Sequence, residues 1–282
     1  MDYLVVAPHT PFFQWQVAML VQSFRLQSME ENLAILLIAG SASPQQSQFC
    51  KWFSEHPRLK AVRLPADSNP DIMRLHGLAY AVKNKFVSQN FTILPPYCML
   101  RHPLAPPQAN ITFSCQSDFT FPQLDSFGIS SNAISKRLGE KRQWLPVGDV
   151  FMFNDMMPEF FNLATGRGEM IAFDSYREMY KGGNDFVLKG LFRAALAMAT
   201  METYGRVKTD TSRRIECHMN DHDQTANVIN YYYGFPPDFS RTFYPMDGQG
   251  MSLSDTPVNG ILRSPDTHAS IFMKQVVSTM VT

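Results

Sequence analysis

The amino-acid sequence predicts an α/β fold, a mainly parallel central sheet flanked by helices, in a single domain with two abutting halves. Two observations predict it. Short continuous apolar runs alternate with helical patterns from Tyr3 to Leu94, and a β-α-β-α-β-α-β order supplies the crossovers that parallel strands need. No linker, internal repeat, low-complexity tract or charge block marks a boundary between independent domains.

Each element has its own reason. Tyr3 to Ala7 is an unbroken apolar run, the pattern of a strand buried on both faces. Gln14 to Gln27 carries Trp15, Met19, Leu20, Val21 and Phe24 close to one helical face. Leu33 to Ala39 is a second strand, stopped by Gly40 and the polar stretch SASPQQ. Phe49 to Ser54 is expected in a second helix, and Leu59 to Leu64 as a third strand. Pro70 to Phe86 is a helix with Asn69 or Ser68 as its cap, and Phe91 to Leu94 is a fourth strand running into Pro95-Pro96. The second half is less regular. Ile111 to Ser114 and Val150 to Phe153 are strands, Met170 to Tyr180 and Phe186 to Tyr204 are helices, and Gly205 stops the latter. Val228 to Tyr233 is an aromatic-rich strand before the turn-forming GFPPDF.

Composition bounds the function. The chain has 282 residues, enough to bury a core without disulfide or metal staples. Apolar residues make up 45%, which excludes disorder as the overall state. Lys plus Arg and Asp plus Glu balance at 25 each, so no global basic field draws in nucleic acid. The run Leu33 to Ala39 is far short of the roughly 20 apolar residues of a membrane span. The opening MDYLVVAPHTP has no basic n-region and breaks its apolar run with Pro and His; the expectation is a soluble, cytoplasmic protein. Cys50, Cys98, Cys115 and Cys217 stand far apart without a C-x-x-C pair and read as reduced thiols.

Several chemistries are unsupported. There is no G-x-x-x-x-G-K-[ST], no G-x-G-x-x-G after the first strand and no G-x-S-x-G. The segment His218-Met-Asn-Asp221-His222-Asp223 reads as a polar loop or an active-site loop rather than a metal triad, whose usual scaffold is β-rich.

Open α/β sheets bind ligands beyond the carboxyl ends of their strands. Those ends here carry HTPFFQWQ, ADSNPDIMR and PPYCMLRHPL. With WLPVGDVFMFN, Glu178-Met-Tyr180 and NYYYGFPPDFSRTFYP, these segments resemble, in order, a nucleotide-sugar glycosyltransferase of the Rossmann-like GT-A fold. The nearer resemblance is to the peptidyl-serine galactosyltransferase and hydroxyproline arabinosyltransferase-like group. It implies a nucleotide-sugar-binding half at residues 1–110, an acceptor half at 111–245 and a C-terminal extension at 246–282.

The sequence departs from that family twice. Where the family's fourth strand ends in an Asp-x-Asp that holds a divalent cation, this chain reads Pro95-Pro96-Tyr97; where the family has a His before a Tyr, it reads Asn230-Tyr231. Magnesium and manganese need hard oxygen ligands, preferably carboxylates. The joint loss argues for a donor site that works without metal, with no cofactor.

The resemblance implies transfer of a sugar from a nucleoside-diphosphate donor, UDP-linked, to a hydroxyl acceptor. Donor-binding candidates are His9, Thr10, Trp15, Asn69, Arg74, Tyr97, Arg101 and Arg241; without metal, side-chain cations and helix N-termini must meet the diphosphate charge. Asp149, a carboxylate inside the apolar VGDVFMF, and Glu178 in REMYK compete as general base. Acceptor-binding candidates are His218, Asp221, Asn230 and Tyr231. The acceptor is a protein or small-molecule hydroxyl, or a hydroxylated DNA base reached along clusters such as Lys136-Arg137 with Lys141-Arg142 and Arg213-Arg214. The alternative is a non-catalytic binding protein on the same scaffold.

Overall fold

A computed structural model describes residues 1–39, 46–64, 69–107, 109–114, 117–139, 144–179, 190–206, 208–210, 215–218, 225–231 and 266–281. Its elements are, in chain order, β1 (Asp2–Pro8), α1 (Pro11–Leu26), β2 (Leu33–Ala39), β3 (Leu59–Arg63), α2 (Pro70–Lys83), β4 (Phe91–Leu94), β5 (Cys98–Leu100), β6 (Ile111–Ser114), β7 (Ser117–Thr120), α3 (Phe121–Ser126), α4 (Ser131–Leu138), β8 (Trp144–Val147), β9 (Phe151–Phe153), α5 (Pro158–Met179), α6 (Leu191–Tyr204), β10 (Thr209–Asp210), β11 (Glu216–His218), β12 (Val228–Asn230) and α7 (His268–Val281). The chain divides into two compact units. An amino-terminal unit takes Tyr3–Val62, Leu94–Ala105 and Ser212–Thr282, and a middle unit takes Met1–Asp2, Arg63–Ile93 and Pro106–Thr211.

In the amino-terminal unit β1 and β2 pair in parallel, from Tyr3 opposite Leu33 to Pro8 opposite Ile38, and β3 follows β2 in the strand order. Tyr3 to Ala7 and Leu33 to Ala39 are buried throughout, as apolar runs without alternation require. Helix α1 opens with Pro11 in its first turn, where the missing N–H costs nothing. A second, small sheet runs β11-β12-β5, with β12 parallel to β11 and antiparallel to β5. The phenol oxygen of Tyr3 accepts from the Leu104 amide at 2.9 Å and ties the segment after β5 back to β1.

In the middle unit the strand order is β10-β6-β9-β4, with β9 antiparallel to both neighbours and β10 parallel to β6. Stacked Phe91 and Phe153, with Phe161 against both, fill the face under α5. Helix α2 is capped by Asn69, whose side chain accepts from the amides of Asp71 and Ile72, the cap expected from the sequence. Gly168 sits where α5 meets α2: a Cβ there would come 2.3 Å from Leu75 Cδ1.

Four local expectations are corrected. Phe49 to Ser54 forms a short 3-10 turn, Gln48–Trp52, started by Ser47. The helix expected from Met170 begins at Pro158 and runs for 22 residues. The helix expected from Phe186 begins at Leu191 behind Gly190, which sits at φ 79°. The strand expected to reach Tyr233 ends at Asn230, with Tyr232 and Tyr233 outside the described residues. Cys98 and Cys217 are buried and Cys50 half-buried, all three as free thiols; Cys115 lies outside the described residues. Among the described residues no helix is long and apolar enough to cross a membrane.

Candidate functional site

In the amino-terminal unit, the end of β1 delivers His9 and Thr10 directly to the start of α1. The His9 amide donates to the Ile38 carbonyl at 2.7 Å, which fixes the exit of β1 against β2. Thr10 is the exposed N-cap of α1, and its carbonyl accepts from Phe13 and Gln14. Trp15, one turn on, is 3% exposed, with Phe12 at 6.4 Å and the Tyr231 ring at 5.8 Å between centroids. Three buried polar atoms in this stretch, His9 Nδ1, Trp15 Nε1 and Gln16 Oε1, have no hydrogen-bond partner among the described residues. Burial pushes the His9 imidazole below its ordinary value, which keeps it neutral near pH 7.

The tripeptide Pro95-Pro96-Tyr97 forms the turn between Leu94 and β5. Each of its three carbonyls accepts a hydrogen bond. The Cys98 thiol donates to Pro95 O at 3.0 Å, the Tyr231 hydroxyl to Pro96 O at 3.4 Å, and the Tyr231 amide to Tyr97 O at 3.2 Å. Tyr97 itself is half-buried. Asn230, 3% exposed, stands opposite Cys98 across the β12–β5 ladder, and His218 stands opposite Asn230 across the β11–β12 ladder. Tyr231 is 1% exposed, so its hydroxyl serves the turn rather than an acceptor.

Arg101 also turns inward. It is 6% exposed, and its Nε and Nη2 donate to the Ala226 carbonyl at 2.8 and 2.6 Å. It staples the approach to β12, where the sequence reading placed it on a diphosphate.

In the middle unit the candidates are drawn together by the first turn of α6. Gly190 offers that helix no side-chain cap, so Asp71 from α2 accepts from the Phe192 amide at 3.1 Å. Asp71 also pairs with Arg74 at 3.3 Å, and the Arg74 guanidinium lies 4.1 Å over the Phe192 ring. Arg193, next on α6, pairs with Asp149 at 2.7 Å, and both side chains are nearly buried. Gly148 allows Asp149 its place: a Cβ there would meet the Ser114 carbonyl oxygen at 1.8 Å, and Val150 and Ser114 are cross-bonded beside it. Asn69 is spent on capping α2.

Glu178 belongs to a different neighbourhood. One carboxylate oxygen accepts from the Ser130 hydroxyl, the other from Asn132 at 3.1 Å, at the start of α4. The Ser130 bond holds its carboxyl below the ordinary range despite some burial. Asp221 and Arg241 lie outside the described residues. Sequence reasoning missed Arg193, Cys98 and Gln16. Arg193 carried a signal, a lone cation in the apolar run LFRAALAMA that had to find a partner.

The metal that the family resemblance implies can be tested on this donor set. Pro95 and Pro96 bring no side-chain ligand, and the turn's carbonyls point to donors that are 0 to 1% exposed. Among the described residues no three His, Cys, Asp or Glu side chains gather into a metal-holding group. The described residues of the turn, without a carboxylate, do not fit a hard divalent cation.

No family model and no curated protein matches this chain. Among solved structures, it is similar to a galactosyltransferase, LgtC, in complex with donor and acceptor sugar analogues, with TM-score 0.50 and 9% identity over 100% of this chain and 97% of that one. An active-site mutant of LgtC gives TM-score 0.49 at 8% identity, covering 99% and 96% of the two chains. A glycosyltransferase of Streptococcus pneumoniae TIGR4, GlyE, gives TM-score 0.43 at 9% identity over 100% of this chain and 64% of that one. At such identities the likeness speaks of fold, and it spans the whole length. The chain has the GT-A glycosyltransferase fold.

Proposed function

We propose that the chain is a glycosyltransferase that moves a sugar from a nucleoside-diphosphate donor, UDP-linked, to a hydroxyl acceptor without a divalent metal. The acceptor oxygen bonds to the anomeric carbon, the carbon's bond to the diphosphate breaks, and the acceptor hydroxyl gives up its proton. One observation carries the reading: buried polar atoms of His9, Trp15 and Gln16 stand without partners where β1 hands over to α1, in a chain of transferase fold. Folded proteins pair more than about nine-tenths of such groups, and three exceptions within eight residues support a ligand-binding role for this stretch. The complex of LgtC with donor and acceptor sugar analogues supports the same class of ligand.

His9, Thr10, Trp15 and Tyr97 are the proposed donor contacts, and Arg241 the proposed cation for the diphosphate. Asp149 is the proposed acceptor-side carboxylate, oriented by Arg193. A protein or small-molecule hydroxyl is the favoured acceptor over a hydroxylated DNA base. Of the basic clusters a DNA track would need, Arg137 is already paired with Glu202 at 3.2 Å, which also holds Arg167 at 2.7 Å. The test is turnover: incubation with UDP-sugars and a panel of alcohol acceptors should release UDP, with and without EDTA.

A second reading, a binding protein without activity, is favoured by the state of the two carboxylates. Asp149 is ion-paired and Glu178 has both oxygens engaged, which makes each a weak proton acceptor as it stands. Nucleotide binding with no UDP release from any sugar donor would select it.

A further inference from the structure

The turn Pro95–Tyr97 is bonded by two buried residues, Cys98 and Tyr231. We infer that Tyr231 and Cys98 are positioning residues: they draw the turn's carbonyls into the core, close it to a dication, and leave the donor to be held by N–H groups. This rests on the nucleotide-sugar reading above and adds to it the device that replaces the metal.

The geometry has three parts. First, a carbonyl oxygen could ligate a cation in place of a carboxylate, so losing Asp-x-Asp would not by itself remove a metal site. Here the Cys98 thiol, the Tyr231 hydroxyl and the Tyr231 amide each bond one of the three carbonyls, and because both donor residues are at most 1% exposed, those oxygens are directed into the core rather than toward a cation in solvent. Second, burial pushes the Tyr231 phenol well up, so it stays a proton donor and never becomes a phenolate ligand. Third, the unpartnered polar atom on the ring beside Tyr231 is of the opposite kind. Trp15 Nε1 carries a hydrogen, cannot bind a metal, and sits on a ring 5.8 Å from the Tyr231 ring. An indole N–H fits an oxygen acceptor of the donor, phosphate or carbonyl. One tyrosine therefore fixes both the turn and the indole beside it.

The experiment has two arms on the full chain. In the first, Mn²⁺ is titrated into the protein with and without UDP and the free-ion signal is followed by electron paramagnetic resonance. The expected result is that the protein alone removes no free-Mn²⁺ signal and, with UDP present, removes no more than UDP does without protein; a stoichiometric loss beyond those controls overturns the inference. In the second, UDP affinity in EDTA is compared by calorimetry across Tyr231→Phe, Cys98→Ala and Cys98→Ser. Tyr231→Phe and Cys98→Ala should each weaken binding by about three- to tenfold, the size of one neutral hydrogen bond, while Cys98→Ser, which keeps a donor, should restore it. Equal affinities with a lowered unfolding temperature would show a merely structural role and overturn the positioning claim. If the unmodified chain binds no UDP under any condition, the transferase reading falls along with the claim about the donor. The Mn²⁺ arm without UDP still decides whether the turn is closed to a cation.

Discussion

The two units treat their polar groups in opposite ways. Around the first turn of α6 in the middle unit, each charged candidate has a local partner: Arg74 has Asp71 and Phe192, Arg193 has Asp149, and Asp71 caps the helix that carries them. At the end of β1 in the amino-terminal unit, neutral polar atoms are buried and left open at His9, Trp15 and Gln16. Buried charges must be paired to be tolerated, whereas an open neutral polar atom costs less and keeps its capacity for a ligand. The comparison teaches that the conspicuous ions around α6 are paired within the fold, and that the unpartnered neutral atoms gather at the end of β1, where the proposed donor contacts lie.

The largest effect should come from the middle unit. Gly148→Ala drives a Cβ into the Ser114 carbonyl, which neither backbone can yield without moving the loop that carries Asp149. A loss of at least about 4 kcal/mol in denaturant unfolding is expected, the range of severe core strain. A loss below about 1 kcal/mol would show that the loop is looser than its contacts imply. Next, Arg193→Ala leaves Asp149 a nearly buried charge without its 2.7 Å partner and should cost about 3–5 kcal/mol. The comparison sharpens if Arg193→Ala with Asp149→Asn recovers much of that loss.

In the amino-terminal unit the pattern should invert. Trp15→Phe keeps a ring against Tyr231 and removes only the open N–H. Stability should change by less than about 1 kcal/mol, while nucleotide affinity falls about tenfold, as for a lost bond to a charged oxygen. A large loss of stability with unchanged affinity would break the comparison.

The smallest effect is that of pH. His9 and His56 are both pushed below the ordinary histidine value of 6.5 by burial, and His56 Nε2 has no partner among the described residues. A depressed folded value means the folded state resists protonation. Their contribution is therefore fully present above pH 6.5 and is lost as pH falls from there through the folded values. Thermal unfolding should show stability falling from neutral pH toward pH 5, before carboxylates such as Glu30 and Glu178, whose values are lowered from 4.5, begin to titrate. His56→Gln should flatten part of that slope; an unchanged slope would assign it elsewhere.

How much of this was legible follows from range. Strands β1, β2 and β4 and helix α2 were written locally, as unbroken apolar runs and as Asn69 before Pro70. The first half of α5 contains Gly166 and Gly168, residues of low helix propensity; at Gly168 α2 packs too close for a side chain. Helix α7 is legible in the pattern of the C-terminal extension: Ala269, Met273, Val276, Val277 and Met280 make a buried helical stripe. The role of Arg101 inverted because its partner, the Ala226 carbonyl, lies 125 residues away. The closed turn was equally out of reach, since Tyr231 meets Pro96 across 135 residues and no local pattern records such a contact. Sequence reading found the loss of ligands at Pro95–Tyr97 but not the bonds that replaced them.

The most direct measurement is a calorimetric titration of a panel of nucleoside diphosphates into the full chain in EDTA, repeated with Trp15→Phe. The account predicts that at least one of them, UDP first, binds without metal and that Trp15→Phe weakens it. Absence of binding by every nucleotide at millimolar concentration, with EDTA or with Mn²⁺, would contradict it.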